Sequence, residues 1–362
     1  MRLELKGNYI QSARIRLGYA HRGIEQLVEG KNILQALYTV ERICGICEFA
    51  HSGAYTRAIE SILNFKPAKK VAYLRMLIAE LERIHSHLLW AGYMAHEIGY
   101  EIIFQFFWRE REKILEIFEK LTGGRVHHNF NKIGTVRYDL GKGDDKFILQ
   151  RVNSVEKKIL DYLSVYSSDK IIRARLKGVG LITKEEAKKY CLVGPIARAS
   201  GIKIDVRKDD PYLAYKSVNF KIITEPSGDA LARTTVRLKE ILESIKIISQ
   251  LIRGLPKEKL PVPKHYRIKD KETVGRVEAP RGENFHFHKI KDNIIQRARV
   301  RTPTYRNIIV LEKLLAGAEI ADTPVILSSL DPCFGCMERV MIVKRRKTKL
   351  LNEQEFRRRY CV

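Results

Sequence analysis

Apolar residues along this chain recur mostly at three- and four-residue steps, and strict alternation is confined to the beginning. Leu3 and Leu5, then Ile15 and Leu17, alternate with polar neighbours on either side of Gly7-Asn8, which predicts a strand pair over residues 2–17. Residues 31–40 take helical spacing. Pro67 then opens a long helix on Val71, Leu74, Leu77, Ile78, Leu81, Ile84 and Leu88. Residues 101–121 predict a second long helix, stopped by Gly123-Gly124. Residues 151–176 predict a third with a Lys-rich face, and residues 229–251 a fourth on Leu231, Val236, Leu238, Ile241, Leu242, Ile245 and Ile248. Residues 190–225 read as irregular, and Pro256, Pro261 and Pro263 interrupt regular structure ahead of Glu278. Long helices of this kind predict a mainly α (α+β) fold, a long-helix bundle core with small β segments at its edges. With no internal repeat and no low-complexity linker, residues 1–362 read as one domain.

Sixty-seven Lys and Arg against 42 Asp and Glu give a formal net charge of +25. Such a field attracts phosphate backbones and anionic membranes alike. No zinc-finger spacing or RNP-like string accompanies it, and basic residues are spread along helical stretches such as Lys184 to Lys189. Nucleic acid is therefore not expected as a partner; an acidic electron carrier or an anionic leaflet suits the surface better. Residues 98–108 are apolar-rich but fall short of the roughly 20 residues a span needs, and they include Glu101 and Gln105. Without a leader pattern the chain reads as cytoplasmic.

Of six cysteines, four stand in two Cys-x-x-Cys pairs near opposite ends: Cys44 and Cys47, then Cys333 and Cys336. A disulfide framework is not expected, and Cys191 reads as a buried core residue. Four thiols form a tetrathiolate metal site if the fold brings the ends together, and thiolate prefers nickel, zinc, copper(I) or iron–sulfur clusters to hard cations. Structural zinc is the general reading of such a quartet. Zinc ribbons, however, close over roughly 15–20 residues to staple units that lack a core. A chain of 362 residues buries a core without help, so a site joining its ends points to chemistry.

The flanks carry a resemblance. Arg42-x-Cys44-Gly45-x-Cys47-x-x-x-His51 and Asp331-Pro332-Cys333-x-x-Cys336-x-x-Arg339 resemble the two metal-binding signatures of nickel–iron hydrogenase large subunits. Arg339 in place of a histidine is similar to the energy-converting, membrane-associated branch, related to the quinone-side catalytic subunit of respiratory complex I. The strings Arg22-Gly23-Ile24-Glu25, Gly194 to Gly201 with Asp205 to Pro211, Glu278 to Glu283 and Arg301 to Thr304 match the same family in its order.

The resemblance implies a hydrogenase large-subunit fold and a catalytic subunit that cleaves H2 heterolytically and reversibly at a nickel–iron centre, the iron carrying carbon monoxide and cyanide, with magnesium as a further metal. It implies that Cys44, Cys47, Cys333 and Cys336 bind nickel, Cys47 and Cys336 being shared with iron, and that Cys333 or Cys44 takes the proton. Arg281 is then expected over the centre with Asp331 accepting its hydrogen bonds, and His51 as a donor towards a cysteine sulfur. Glu25 is expected at the second metal or on a proton path. The branch's usual proton-exit glutamate has no counterpart, which leaves Glu25 or Glu41 to serve. Arg42 is expected to pair with Glu41, and His286 and His288 to assist proton transfer. His85, His87, His96, His127 and His128 are expected to be packed or solvated.

The implied partners are a small subunit with iron–sulfur clusters, membrane ion-translocating subunits, ferredoxin, and a maturation endopeptidase cutting after Arg339 and discarding 340–362. The location implied is the cytoplasmic face of the membrane. The alternatives are a complex I-like NADH/quinone oxidoreductase subunit without hydrogenase activity, or a scaffold with structural zinc.

Overall fold

The computed structural model describes residues 1–262, 266–337, 342–344 and 347–349. The expected hairpin forms, β1 (Arg2–Lys6) pairing antiparallel with β2 (Tyr9–Arg14). Helices α1 (Ile24–Val28) and α2 (Ile33–Glu41) follow, α2 starting where Asn32 accepts the N–H groups of Leu34 and Gln35. Next come α3 (Glu48–Ile62), α4 (Lys69–Glu97) and α5 (Glu101–Thr122), which ends at left-handed Gly123. A small hairpin of β3 (Asn131–Lys132) and β4 (Thr135–Val136) precedes α6 (Asp144–Ser168) and α7 (Lys170–Leu176). Short helices α8 (Lys184–Lys189), α9 (Gly194–Arg198) and α10 (Val206–Asp209) lead to the long α11 (Ala230–Arg253), capped by Asp229. The strands β5 (Asp270–Ala279), β6 (Gly282–Lys291) and β7 (Ile294–Arg301) form an antiparallel meander. The short helices α12 (Pro303–Asn307), α13 (Leu311–Leu315) and α14 (Thr323–Ser329) bring the chain to Cys333.

The fold is mainly helical with small antiparallel sheets, and its core is the packing of α4 against α5 and α11, with α6 beyond. The predicted stripe of α4 is buried together with Phe107, Ile114 and Phe118 of α5, Ile148, Val152 and Ile159 of α6, and Leu238, Ile241 and Ile245 of α11. Each such side chain contributes roughly 1.5–3 kcal/mol on burial. Yet α4 is enclosed on nearly every side, so Arg75, Glu80, Glu82, Arg83, His85, Ser86 and His87 lie inside as well. Buried charges persist only with partners. Arg75 forks onto Glu60, Glu80 meets Arg83 and Arg207, and His87 meets Glu240 at 2.9 Å.

Two expectations are corrected here, and one sheet was not foreseen. The helix expected over 151–176 begins earlier, where left-handed Gly143 admits the chain and Asp144 and Asp145 suit a helix N-terminus. It also breaks at Asp169, whose side chain instead caps α7 through the N–H of Ile172. The meander escaped prediction because the buried face of β6 carries Asn284, His286 and His288 where an apolar alternation would have announced a strand. Cys191 is exposed, in a left-handed turn just past α8, and not in the core.

Candidate metal centre

The first cysteine loop runs from the end of α2 into α3, with Cys47 at the N-cap position. The second is a 3-10 turn, Phe334–Cys336, entered just after α14. Cys44 and Cys333, 289 positions apart, bring their Sγ atoms to 3.3 Å. The sulfurs of Cys44, Cys47 and Cys336 all lie within 4.8 Å of one another. All four thiols are buried and none is in a disulfide.

Each of the shorter strings that accompany the cysteine pairs turns out to hold this centre. Arg22 donates to the carbonyls of Arg42 at 2.9 Å and Ile43 at 2.6 Å, and reaches that of Gly335 at 3.4 Å, so one guanidinium joins both loops. Thr302 donates to the carbonyl of Cys336 at 2.8 Å, and Thr304 Oγ1 accepts the N–H of Cys333 at 3.2 Å. The 194–201 string supports the turn between β5 and β6. A Cβ on Gly194, whose φ is 68°, would stand 2.3 Å from the carbonyl oxygen of Arg281, and one on Gly282 would stand 2.8 Å from the Gly194 nitrogen. Only glycine permits this approach. Arg198 of the same string donates to Glu278 and to Glu240, both at 2.7 Å.

That turn delivers Arg281 to the site. Its Nη2 donates to Asp331 Oδ1 at 2.6 Å, its Nε to the Asp331 carbonyl at 3.1 Å and its Nη1 to Ser86 Oγ at 2.9 Å. Burial opposes the charge on Arg281, but Asp331 and the cysteines outweigh it and hold the guanidinium ionised. Burial likewise pushes the Asp331 carboxyl up, against the pull of Arg281 and Arg237. His51 places Nε2 4.0 Å from Cys336 Sγ and Nδ1 3.0 Å from His286 Nε2. His286 and His288 point inward from β6, and burial pushes both well towards the neutral form.

Among the thiols, hydrogen bonds from Cys336 and Cys44 draw Cys47 down to about 7, while the hydrogen bonds around it push Cys336 well up. Cys47 is thus drawn towards the anion while Cys333 and Cys336 hold their protons longer. A bound divalent ion would remove that difference, since metal coordination strips thiols of their protons outright. Sulfurs this close, sealed from solvent and unoxidised, fit a soft transition ion.

The remaining predicted residues lie as follows. Glu25 accepts the N–H of Val300 at 2.7 Å and pairs with Arg299 at 3.0 Å, fastening α1 to β7. Glu41 is buried and pairs with half-exposed Arg42 at 2.9 Å. His85, His87 and His128 are buried, His128 against Glu48, whereas His96 is exposed beside Glu101. Arg339 and Cys361 lie outside the described residues. Sequence reasoning missed the roles of Arg22, Ser86, Thr302 and Thr304. Arg22 and the two threonines stand within the matched strings, but nothing local shows which carbonyl a side chain will meet.

Residues 97–268 and 261–339 match the family of the respiratory-chain NADH dehydrogenase 49 kDa subunit, and residues 22–132 match the nickel-dependent hydrogenases. The chain is 34% identical to the alpha subunit of the membrane-bound hydrogenase of Pyrococcus furiosus, over 98% of this chain and 87% of that protein. It is 36% identical to one component of the F(420)H(2) dehydrogenase of Methanosarcina mazei, over 94% of this chain and 93% of that protein. A chain in the structure of a membrane-bound sulfane sulfur reductase, an archaeal respiratory membrane complex, superposes with a TM-score of 0.88 at 32% identity, covering 93% of each chain.

Proposed function

The chain belongs to the family that joins nickel-dependent hydrogenases with the 49 kDa subunit of respiratory-chain NADH dehydrogenase, and from that premise we propose that it is the catalytic large subunit of a membrane-associated, energy-converting nickel–iron hydrogenase. The observation that carries this reading is the convergence of four buried thiols from both ends of the chain. Cys44, Cys47, Cys333 and Cys336 would hold nickel, with Cys47 and Cys336 shared with an iron carrying carbon monoxide and cyanide. When bound, such a centre supplies the redox and Lewis-acid chemistry that heterolytic cleavage of H2 requires.

The protein's own residues do the rest. Asp331 and Ser86 fix the Arg281 fork over the cysteines, where its free donor capacity can meet an anionic ligand. His51 is held by His286 so that its other nitrogen faces the Cys336 sulfur, limiting that sulfur's freedom. Burial of the quartet keeps bulk water from the reacting atoms.

Electrons would leave through a small iron–sulfur subunit towards ferredoxin, and ion translocation would belong to membrane subunits. Among the described residues no helix is long and apolar enough to cross a membrane, which suits a peripheral place on the cytoplasmic face. A quinone-reducing subunit without hydrogenase activity is the rival, favoured by the long 49 kDa match over 97–339; it gives the four thiols no task. Infrared bands of iron-bound carbon monoxide and cyanide, with nickel and iron in equal amount, are expected from matured protein. One zinc and no nickel would refute the hydrogenase reading.

A further inference from the structure

Ala72, Arg75, Ala79, Glu82 and Ser86 step by three and four residues, so they form one stripe along α4. The first four line a cavity of about 570 Å³ whose other wall includes Phe49, Ala50 and Gly53 of α3. The cavity extends to Lys66, an exposed residue. Ser86, the last member of the stripe, already receives Arg281. Glu82 thus stands where the stripe passes from the cavity to the metal pocket. Its oxygens accept the N–H groups of Phe49 at 2.6 Å and Ala50 at 3.0 Å, two and three residues beyond Cys47.

We propose that Glu82 is the proton-carrying residue between the cysteine cluster and this cavity, an inference that rests on the hydrogenase reading. Arg57, Glu60, Arg75 and Glu278 also line the cavity, so its wall can hydrate. Glu25 and Glu41, the positions the sequence suggests, do not line it. A proton released at the cluster binds one Glu82 oxygen as another leaves Glu82 for cavity water. The residue ends as it began, and no electron passes through it. Burial, and after it the charge of Glu48, push the Glu82 carboxyl well above the ordinary carboxylate range, against the two backbone N–H groups. A group so placed keeps its proton to higher pH than an ordinary carboxyl does. The plainer role, capping α3, is separable, because glutamine's carbonyl oxygen still accepts one of those two N–H groups but cannot carry a proton.

The test is Glu82→Gln in the full-length protein. Infrared spectra of the metal-free form should lose the carbonyl band of a neutral carboxylic acid. After nickel loading, exchange between D2 and solvent protons should fall about tenfold or more with nickel content unchanged, and Glu82→Asp should recover part of it. Ala79→Leu, which fills the cavity beside an intact Glu82, should slow exchange while keeping the band. Wild-type exchange in Glu82→Gln, or no neutral-acid band lost, overturns the relay. If Glu82→Gln fails to take nickel, Ala79→Leu decides, and wild-type exchange there overturns the route. Wild-type protein that holds nickel yet exchanges no deuterium overturns the proposed function instead, while the metal-free infrared result still reads Glu82 on its own.

Discussion

Arg281 Nη2 lies 2.6 Å from Asp331 Oδ1, in a pocket where both residues are almost completely buried. Neither charge would be stable there alone, because a buried ion stripped of its partner keeps its full desolvation cost. Arg281→Ala is therefore expected to destabilise the metal-free protein by about 3–5 kcal/mol. Arg281→Lys should recover part of that, since lysine restores charge but not the fork that spans Asp331 and Ser86. Urea denaturation measures both; a loss for the alanine variant within experimental error of zero would show that the pair contributes nothing.

Cys44→Ala and Cys333→Ala should each abolish nickel retention while leaving the far-ultraviolet circular dichroism of the metal-free protein unchanged, because the helical core lies in a separate apolar cluster. Elemental analysis after desalting provides the measurement. Nickel retained at wild-type stoichiometry in either variant would remove that cysteine from the site.

Arg22→Ala should weaken metal binding without removing a ligand. Its guanidinium spans Ile43 and Gly335, and residues that orient ligands typically contribute 10–100-fold in affinity, so a loss of about tenfold or more is expected. Competition with a chelator reads this directly, and unchanged affinity would show that the loops hold their spacing unaided.

Glu41 supplies a pH test. Burial, with the charge of Glu48 behind it, raises its carboxyl from 4.5 to about 8. A carboxyl whose folded pKa is raised keeps its proton longer in the folded than in the unfolded state. Stability therefore falls as pH rises through the window from 4.5 to about 8. Glu41→Gln should match wild type near the bottom of that window and gain on it towards the top, by at most about 1.4 kcal/mol per pH unit. Thermal unfolding of both metal-free proteins across the window gives the comparison; parallel pH profiles would contradict it.

Gly194→Ala should be costly at a position with no ligand. Its Cβ would meet the Arg281 carbonyl oxygen at 2.3 Å and strain a φ of 68°. A loss of about 2 kcal/mol or more is expected, with Arg281 displaced and nickel content lowered. A variant as stable as wild type, with normal nickel, would show that the turn between β5 and β6 can shift freely.

The helices α2, α4, α5 and α11 could be read from the chain alone, because an amphipathic period is a local property; the predicted bounds of α2, α5 and α11 differ from those observed by only a few residues, whereas α4 runs on to Glu97, past the stripe that ends at Leu88. The thiol pairs were equally visible, since a soft ligand set is a matter of residue type. The inward-facing charges of α4 were not visible: Glu80 finds Arg207 and His87 finds Glu240 across more than a hundred positions. The β6 strand hid its period behind Asn284, His286 and His288, of which the first two meet His51 and the third packs edge-on against Tyr55 once the chain is folded. Residue type thus specified which groups could bind a metal and which segments could coil. Whether Cys44 would meet Cys333, and that Arg22, Ser86 and Thr302 would fasten the meeting, was decided only in three dimensions, because hydrogen bonds and close packing act over a few ångströms whatever the separation along the chain.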